Sequence, residues 1–441
     1  MNQYLRSLVA GVDVPIPLCD GKWSKAIHFD NAATTPPFLT VINEILRFAP
    51  WYSSIHRGAG YKSLLSSSIY EQCRWIVADF VHADIEKNSI IFVKNTTEAI
   101  NKLSYRLQEE GKKRVVLSTC MEHHSNDLPW RDKYHVDYVK IDSCGRLSME
   151  DLEEKLKKYA GSLALVTVTG ASNVTGYKNP VYRIARLAHR YGAKILVDGA
   201  QLIPHAPFDM KPADSPEHID YLAFSGHKMY APFGTGVLIG PKDTFERNAP
   251  EYKGGGTVEM VTHDFIRWAD PPLKEEAGTP NIMGAVALAT AIKSLNWIGM
   301  DRIESNEKLL MHHAVEALKN MPDVTLYHDG NEQDSVGILS FNILDMPHRM
   351  VAQILSYEGG IAVRNGCFCA QPYVQKLLGL SSEEIRRRIQ DPKADHPGMV
   401  RISFGLYNTI EEVEKFIDFL YRIIKNKSGY LKKYQHLFSN G

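Results

Sequence analysis

From residue 27 onward, short apolar runs alternate with longer amphipathic stretches. Runs rich in β-branched residues stand at 27–30, 89–93, 114–118, 164–168, 194–198, 221–224 and 236–240. Most are apolar throughout, which is the pattern of strands buried on both faces; strands with one wet face would alternate. Helical patterns fall between them, one opening near Thr96-Thr97-Glu98 and another over 182–191. Strands that alternate with helices build a largely parallel sheet covered on both sides. The expectation is therefore an α/β large domain over 27–290.

The pattern then changes. Long helical stretches at 282–298 and 302–321 lead into strand-like segments at 324–326 and 337–341. A helix at 348–358, a strand at 361–364 and a closing helix at 409–425 follow. This predicts a smaller α+β domain over 291–441. Residues 1–26 are weakly periodic and read as an arm that packs with that smaller domain. The charged segment 381–397 reads as a surface excursion, helical at first and then a Pro-containing loop.

Composition narrows the possible partners. Lys+Arg and Asp+Glu both number 51, so the formal net charge is zero. A neutral chain has no general attraction for nucleic acid or anionic membranes, and neither is expected as a partner. No apolar run reaches the length needed to span a bilayer. Ser7-Leu8-Val9-Ala10 is soon followed by Asp13, Pro15 and Pro17, unlike the apolar core of a signal peptide. Six cysteines, most of them isolated, in a chain of 441 residues do not make a disulfide framework. A reduced, cytoplasmic protein with a small-molecule substrate is expected.

Ligands of open α/β sheets bind beyond the carboxyl ends of the strands. Several polar residues follow apolar runs directly: Thr96-Thr97, His123-His124, Asn173, Asp198 and Ser225-Gly226-His227-Lys228. Lys228 is either an exposed loop lysine or, if desolvated, an amine able to form a Schiff base. Asp198 either caps a turn or keeps the ring nitrogen of a pyridoxal-type cofactor protonated. Thr96 and Thr97 either cap a helix or offer hydroxyls to a phosphate at its N-terminus. His123 and His124 fit a ring-stacking role, a surface turn or a metal pair. No third ligand lies at metal-like spacing, so no metal is expected there.

Taken in order, the motifs resemble one family. They are Asp30-Asn31-Ala32-Ala33, Asn95-Thr96-Thr97-Glu98-Ala99-Ile100-Asn101, Glu122-His123-His124-Ser125-Asn126, Ser172-Asn173-Val174-Thr175-Gly176, Val197-Asp198-Gly199-Ala200-Gln201, Ser225-Gly226-His227-Lys228 and Ala277-Gly278-Thr279-Pro280-Asn281. The chain resembles class V aminotransferase-fold enzymes, and among them the SufS-like cysteine desulfurases and selenocysteine lyases. The resemblance implies a fold-type I pyridoxal 5'-phosphate enzyme, active as a homodimer, with a mostly parallel sheet of the seven-stranded type. It further implies that Lys228 carries the cofactor, Asp198 pairs with its ring nitrogen and His123 stacks on its ring. Gln201 would bond the phenolic oxygen. Thr96, Thr97, Ser225 and His227 would hold the phosphate, with Thr279 reaching it from the partner subunit. Asn173 and Arg401 would bind the substrate carboxylate, a role that suits the planar guanidinium fork. His56 and Arg364 match further substrate-side positions.

The same resemblance assigns the sulfur-accepting nucleophile, within Arg364-Asn365-Gly366-Cys367-Phe368-Cys369-Ala370, to Cys369. Without that context a buried, inert cysteine is the preferred reading. Cys367-Phe368 stand where relatives often carry histidines. Cys367 fits three roles: a resolving thiol, a second persulfide site or a steric substitute. A Cys-x-Cys disulfide would be strained. The segment 373–397 either shapes substrate access or docks an acceptor, or is a solvated insertion.

The expected activity is conversion of L-cysteine to L-alanine, with a persulfide formed on Cys369 and passed to an acceptor protein. The alternatives are another reaction on the same fold (selenocysteine lysis, C–S β-elimination or amino-acid epimerisation) and a catalytically silent scaffold.

Overall fold

A computed structural model describes residues 2–108, 115–391 and 396–434. Its centre is a seven-stranded sheet: β1 Asn88–Val93, β2 Val115–Thr119, β3 His135–Val139, β4 Leu163–Thr169, β5 Lys194–Asp198, β6 Tyr221–Ser225 and β7 Gly236–Pro241. The order across the sheet is β1-β7-β6-β5-β4-β2-β3. β7 runs antiparallel to both its neighbours, and all other pairings are parallel. The apolar runs explain this burial. Ile195, Leu196 and Val197 of β5 are fully buried, as are Leu222, Ala223 and Phe224 of β6.

Helices cover both faces. α1 Thr96–Gln108 follows β1, and α2 Val181–Arg190 precedes β5. α2 turns Val181, Ile184, Ala185, Leu187 and Ala188 inward at helical spacing. It stops at Gly192, whose φ of 69° is costly for other residues. α3 Ile282–Ile298 is buried almost all round, capped by Asn281, whose side chain accepts from the Gly284 amide. α4 Met300–Lys319 leads away from it. No single helix among the described residues is long and apolar enough to cross a membrane.

A second core gathers under a smaller antiparallel sheet, β8 Val324–Leu326, β9 Ile338–Ile343, β10 Arg364–Gly366 and β11 Met399–Ser403, in the order β8-β9-β11-β10. Leu339, Phe341, Ile402 and Phe416 fill it. α5 His348–Gly359 and α6 Ile410–Lys425 flank this sheet, and a Thr409/Glu412 capping box opens α6.

Two details differ from the sequence pattern. The run at 27–30 does not enter the main sheet. Ile27–His28 pairs in parallel with Ile361–Ala362, and Ile27 and Phe29 sit in the second core. The seventh strand is β3 instead. It is an edge strand whose polar His135 and Asp137 break the apolar signature. The run at 361–364 also divides, Ile361–Ala362 pairing with Ile27–His28 while Arg364 begins β10. Arg114, read as the start of a strand, lies outside the described residues.

The N-terminal arm packs in the first core and reaches α6 through an ion pair. Leu5, Val9 and Val12 pack in the first, while Arg6 pairs with Glu412 of α6 at 2.7 Å. In the charged excursion, a helix at Ser382–Gln390 opens with a Ser381/Glu384 capping box. Residues 392–395 lie outside the described residues.

Candidate active site

A cavity of about 220 Å³ lies between the carboxyl ends of the large-sheet strands and the small sheet. β5 ends there in Asp198, and β6 in Ser225, followed by Lys228. The segments after β2 and β4 deliver His123 and Asn173, and the start of α1 delivers Thr96 and Thr97. From the small domain come Arg401 of β11, Arg364 of β10, Phe368 and Cys369. Gln201 and His227 also line it.

Burial sets the protonation states. It lowers Lys228 to about 8, against the opposing pull of Asp198. It raises Asp198, whose Oδ1 accepts from the Ala200 amide at 3.0 Å. Burial, helped by nearby Lys228, lowers His123 to about 3, so its ring is neutral. The His123 ring is held at Nδ1 by the Ser125 hydroxyl at 3.0 Å and the Ser125 amide at 3.1 Å. His227 falls to about 4 by burial, again with a contribution from Lys228.

Hydroxyls cluster where α1 begins. Ser225 Oγ accepts from the Thr96 amide at 2.8 Å and lies 2.7 Å from Thr96 Oγ1. Thr97 Oγ1 is 2.6 Å from Ser125 Oγ. Hydroxyls at the N-terminus of a helix suit a phosphate.

Arg401 is buried in a frame. Nη1 donates to the Asn173 carbonyl at 2.8 Å and Nη2 to Asp30 Oδ1 at 3.0 Å. The Phe368 ring lies 4.8 Å from the guanidinium carbon. Burial is the main reason that Arg401 drops to about 10. Two polar atoms in this cavity wall are buried without a partner: Arg401 Nε and Gln201 Oε1. Buried polar atoms of this kind call for a ligand.

Phe368 and Cys369 adopt left-handed backbone, with φ of 52° and 55°. Such a conformation is uncommon away from glycine and costs about 1–3 kcal/mol where it persists. Three bonds hold the turn. The Cys369 carbonyl accepts from the His124 amide at 2.6 Å, Phe368 O accepts from Asn173 Nδ2 at 2.7 Å, and the Gln371 amide donates to His124 Nε2 at 3.3 Å. Cys369 is exposed. Cys367 is half-buried, with Sγ 2.8 Å from Pro397 O. Burial pushes the Cys367 thiol up.

Pyridoxal phosphate fits this donor set. A buried carboxylate, a desolvated lysine, a fixed neutral imidazole and a hydroxyl-lined helix start match its ring nitrogen, aldehyde, ring face and phosphate.

Comparison with known proteins agrees. The profile of the family described as Aminotransferase class-V matches residues 27–416. The chain belongs to this family. Among its relatives, a cysteine desulfurase of Haloferax volcanii is 35% identical over 407 residues, covering 90% of this chain and 89% of the relative. A probable cysteine desulfurase of Pyrococcus abyssi is 35% identical, covering 91% and 95%. The apo structure of a cysteine desulfurase from Thermococcus onnurineus superposes with a TM-score of 0.81 at 34% identity, covering 91% of this chain and 95% of that one. The cysteine desulfurase CsdA of Escherichia coli, solved as its S-sulfonic acid form, gives 0.80 at 27% identity, covering 96% and 98%. The class V resemblance and the α/β fold read from the motifs are borne out.

For a class V chain, the single subunit leaves two expected residues elsewhere. His56 is exposed at φ 70° and does not line the cavity. Thr279 lies in a separate depression with Tyr70, Glu276 and Tyr252. The structure also adds residues that sequence reading left without a role. Asp30 bonds Arg401 and lies 3.5 Å from Arg364. Glu122 is fully buried behind the cavity, where it accepts from Thr119, Thr169 and Asn126 at 2.6, 2.9 and 2.6 Å. Glu122 stands just beyond a buried run, which is the available signal, whereas Asp30's bonds reach across more than 300 residues and leave no local trace.

Proposed function

We propose that this class V chain is a pyridoxal phosphate-dependent cysteine desulfurase. It removes sulfur from L-cysteine, leaves L-alanine and holds the sulfur as a persulfide on Cys369. The observation that carries this reading is that one cavity is lined by Lys228, Asp198, Arg401 and a cysteine on a constrained turn. The activity named for the Haloferax and Thermococcus relatives supports it.

Lys228 would hold the cofactor, Asp198 its ring nitrogen, and Thr96, Thr97, Ser225 and His227 its phosphate. When bound, pyridoxal phosphate supplies an electron sink for charge at the substrate Cα. Arg401 binds the substrate carboxylate, with Nε still available as a donor. Asn173 keeps Arg401 and Phe368 in register through its carbonyl and amide. Lys228, titrating near 8, takes and returns the Cα proton at neutral pH. His123, neutral and fixed by Ser125, presents a ring face without adding charge. Cys369 thiolate attacks the substrate sulfur. The new S–S bond forms as the substrate C–S bond breaks, and a proton on the former sulfur-bearing carbon completes alanine.

Exposure of Cys369 supports delivery to an acceptor protein. We also infer a homodimer in which His56 and Thr279 complete the other subunit's site. Exposed Trp51, Tyr52, Tyr61, Met260, Val261 and Phe265 support this, lying on segments tied by the 2.8 Å bond from Arg57 to Val258 O. Six free cysteines suit a reducing cytoplasm.

The deciding experiment is turnover of L-cysteine followed by mass spectrometry of the protein. A persulfide on Cys369, with alanine released, is expected. A Cys369→Ala variant that still makes alanine and sulfide at the normal rate sinks the persulfide route.

A further inference from the structure

Ala277, Gly278 and Thr279 are exposed, yet Glu276 just before them is buried, and each of its carboxylate oxygens accepts two hydrogen bonds. Oε1 accepts from Arg74 Nη1 and from the Phe92 amide, each at 2.7 Å. Oε2 accepts from Arg74 Nη2 at 2.6 Å and from the Tyr70 hydroxyl at 2.8 Å. The side chains of Arg74 and Glu276 are 4% and 3% exposed, so this is a bidentate pair away from water. Arg74 Nη1 also donates to Ile90 O at 2.7 Å. Tyr70 and Arg74 share one face of the helix Tyr61–Phe80. Glu276 is therefore bonded to that helix and to β1 at once. Its neighbour Glu275 turns the other way, to Lys102 and Arg106 of α1.

Stability alone is a weak reason for such a pair, because apolar side chains of the same volume often hold a core as well. The network does supply a fixed point. Thr279 is bracketed by Glu276 on one side and by Asn281 on the other, which donates to Phe233 O at 2.7 Å and accepts from the Gly284 amide at 2.9 Å. Between them Gly278, at φ 84°, donates to Gly255 O at 2.8 Å. His56 hangs from the same helix. Its amide donates to Ser67 Oγ at 2.8 Å, and its ring meets Tyr70 edge to face at 5.9 Å.

We propose that Glu276, held by Arg74 and Tyr70, is a positioning residue for the cofactor site of the other subunit: it sets where Thr279 is presented to the phosphate there. The inference rests on the reading that Thr279 completes that site. A defect at Glu276 is then felt in the partner's site, while the site of its own chain keeps its cofactor.

The test uses cofactor-loaded mixed dimers in which one chain carries Lys228→Ala, so that only the other chain's Lys228 holds pyridoxal phosphate. In the first arrangement Glu276→Gln is on the chain that keeps Lys228, and in the second on the chain that lacks it. Whichever way the new amide turns, its NH2 faces an Arg74 nitrogen, donor against donor. Cofactor still bound to Lys228 after dialysis is fixed with borohydride and counted by mass spectrometry. Loss roughly tenfold faster than in the dimer with Lys228→Ala alone is expected in the second arrangement only. Retention in the first also shows that the Glu276→Gln chain folds. Thr279→Ala in the same two arrangements is the reference. If Thr279→Ala speeds loss in the second alone but Glu276→Gln gives any other pattern, the positioning role is overturned and the shared site stands. If Thr279→Ala shows no difference between arrangements, the shared site fails and the proposal with it. Should Glu276→Gln chains not assemble, Tyr70→Phe keeps the ring beside His56, removes only the hydroxyl bond and is read in the same way, with the same dependence on arrangement expected.

Discussion

The backbone amide of His124 donates a 2.6 Å hydrogen bond to the carbonyl of Cys369. The segment that presents His123 is thus bonded to the turn that presents the thiol, although 245 residues of chain separate His124 from Cys369 (369 − 124). That turn is left-handed at both Phe368 and Cys369. Side chains resist this conformation, and β-branched ones resist it most. Cys369→Gly is therefore expected to melt at or above the wild-type temperature, and Cys369→Val below it. Calorimetry on both variants checks this, and the reverse order would show that the strain does not exist in solution.

Arg401 donates to Asn173 and Asp30 through two nitrogens and leaves Nε buried without a partner, the donor proposed for the substrate carboxylate. Lysine has no planar fork and cannot serve all three partners. Losing one charge-assisted bond costs about 1.5–3 kcal/mol. Arg401→Lys should accordingly raise KM for L-cysteine by about 10- to 100-fold, with a smaller fall in kcat. Steady-state kinetics separates the two, and an unchanged KM removes Arg401 from carboxylate binding.

Lys228 is depressed to about 8 from its ordinary 10.5 because burial penalises its charge. Only the neutral amine attacks an aldehyde. Uptake of pyridoxal phosphate by the stripped protein should speed up as pH rises and level off above about 8. Stopped-flow absorbance across this range gives the midpoint. A midpoint at 10.5 would mean that the lysine is solvated.

Glu122 is lifted by burial to about 8 from 4.5, with Asp198 adding to the rise. Its folded pKa lies above its unfolded one. Its stability contribution is thus complete below pH 4.5 and is lost as pH rises through about 8. Lys228 runs the other way. Its contribution is present above pH 10.5 and lost as pH falls through about 8, so the two windows do not overlap. Glu122→Gln keeps an acceptor oxygen for Thr119 and Thr169, loses the one facing Asn126 Nδ2, and deletes the first pH effect. Its denaturation midpoint should depend less on pH between 4.5 and about 8 than the wild type's does. Parallel curves for the two proteins would refute a proton held at Glu122.

The parts of this molecule that could be read from sequence are those where one local cause dominates. Buried strands such as β5 and β6 announce themselves by apolar continuity, and the residues just beyond them become the floor of the cavity. β3 was missed because an edge strand is half wet, and its Asp137 serves Lys155 at 2.6 Å rather than a core. The run at 27–30 was assigned to the wrong sheet because apolar continuity names a buried strand without naming its neighbour. Asp30 escaped for a similar reason. Its bonds to Arg401 and Arg364 span more than 300 residues, and no local pattern carries them.

The pairing of β10 with β11 sets Arg364 opposite Arg401 and Gly366 opposite Met399, three residues before Cys369. The arginine proposed to bind the substrate carboxylate and the loop that carries the proposed nucleophile are therefore neighbours on one hydrogen-bonded ladder. The span between grip and sulfur is ruled off by strand register, like two marks on one rigid gauge. A substrate whose carboxylate-to-sulfur reach differs from that gauge by one methylene would seat correctly at one mark and miss the other. Homocysteine, held as firmly as cysteine, would be turned over far more slowly.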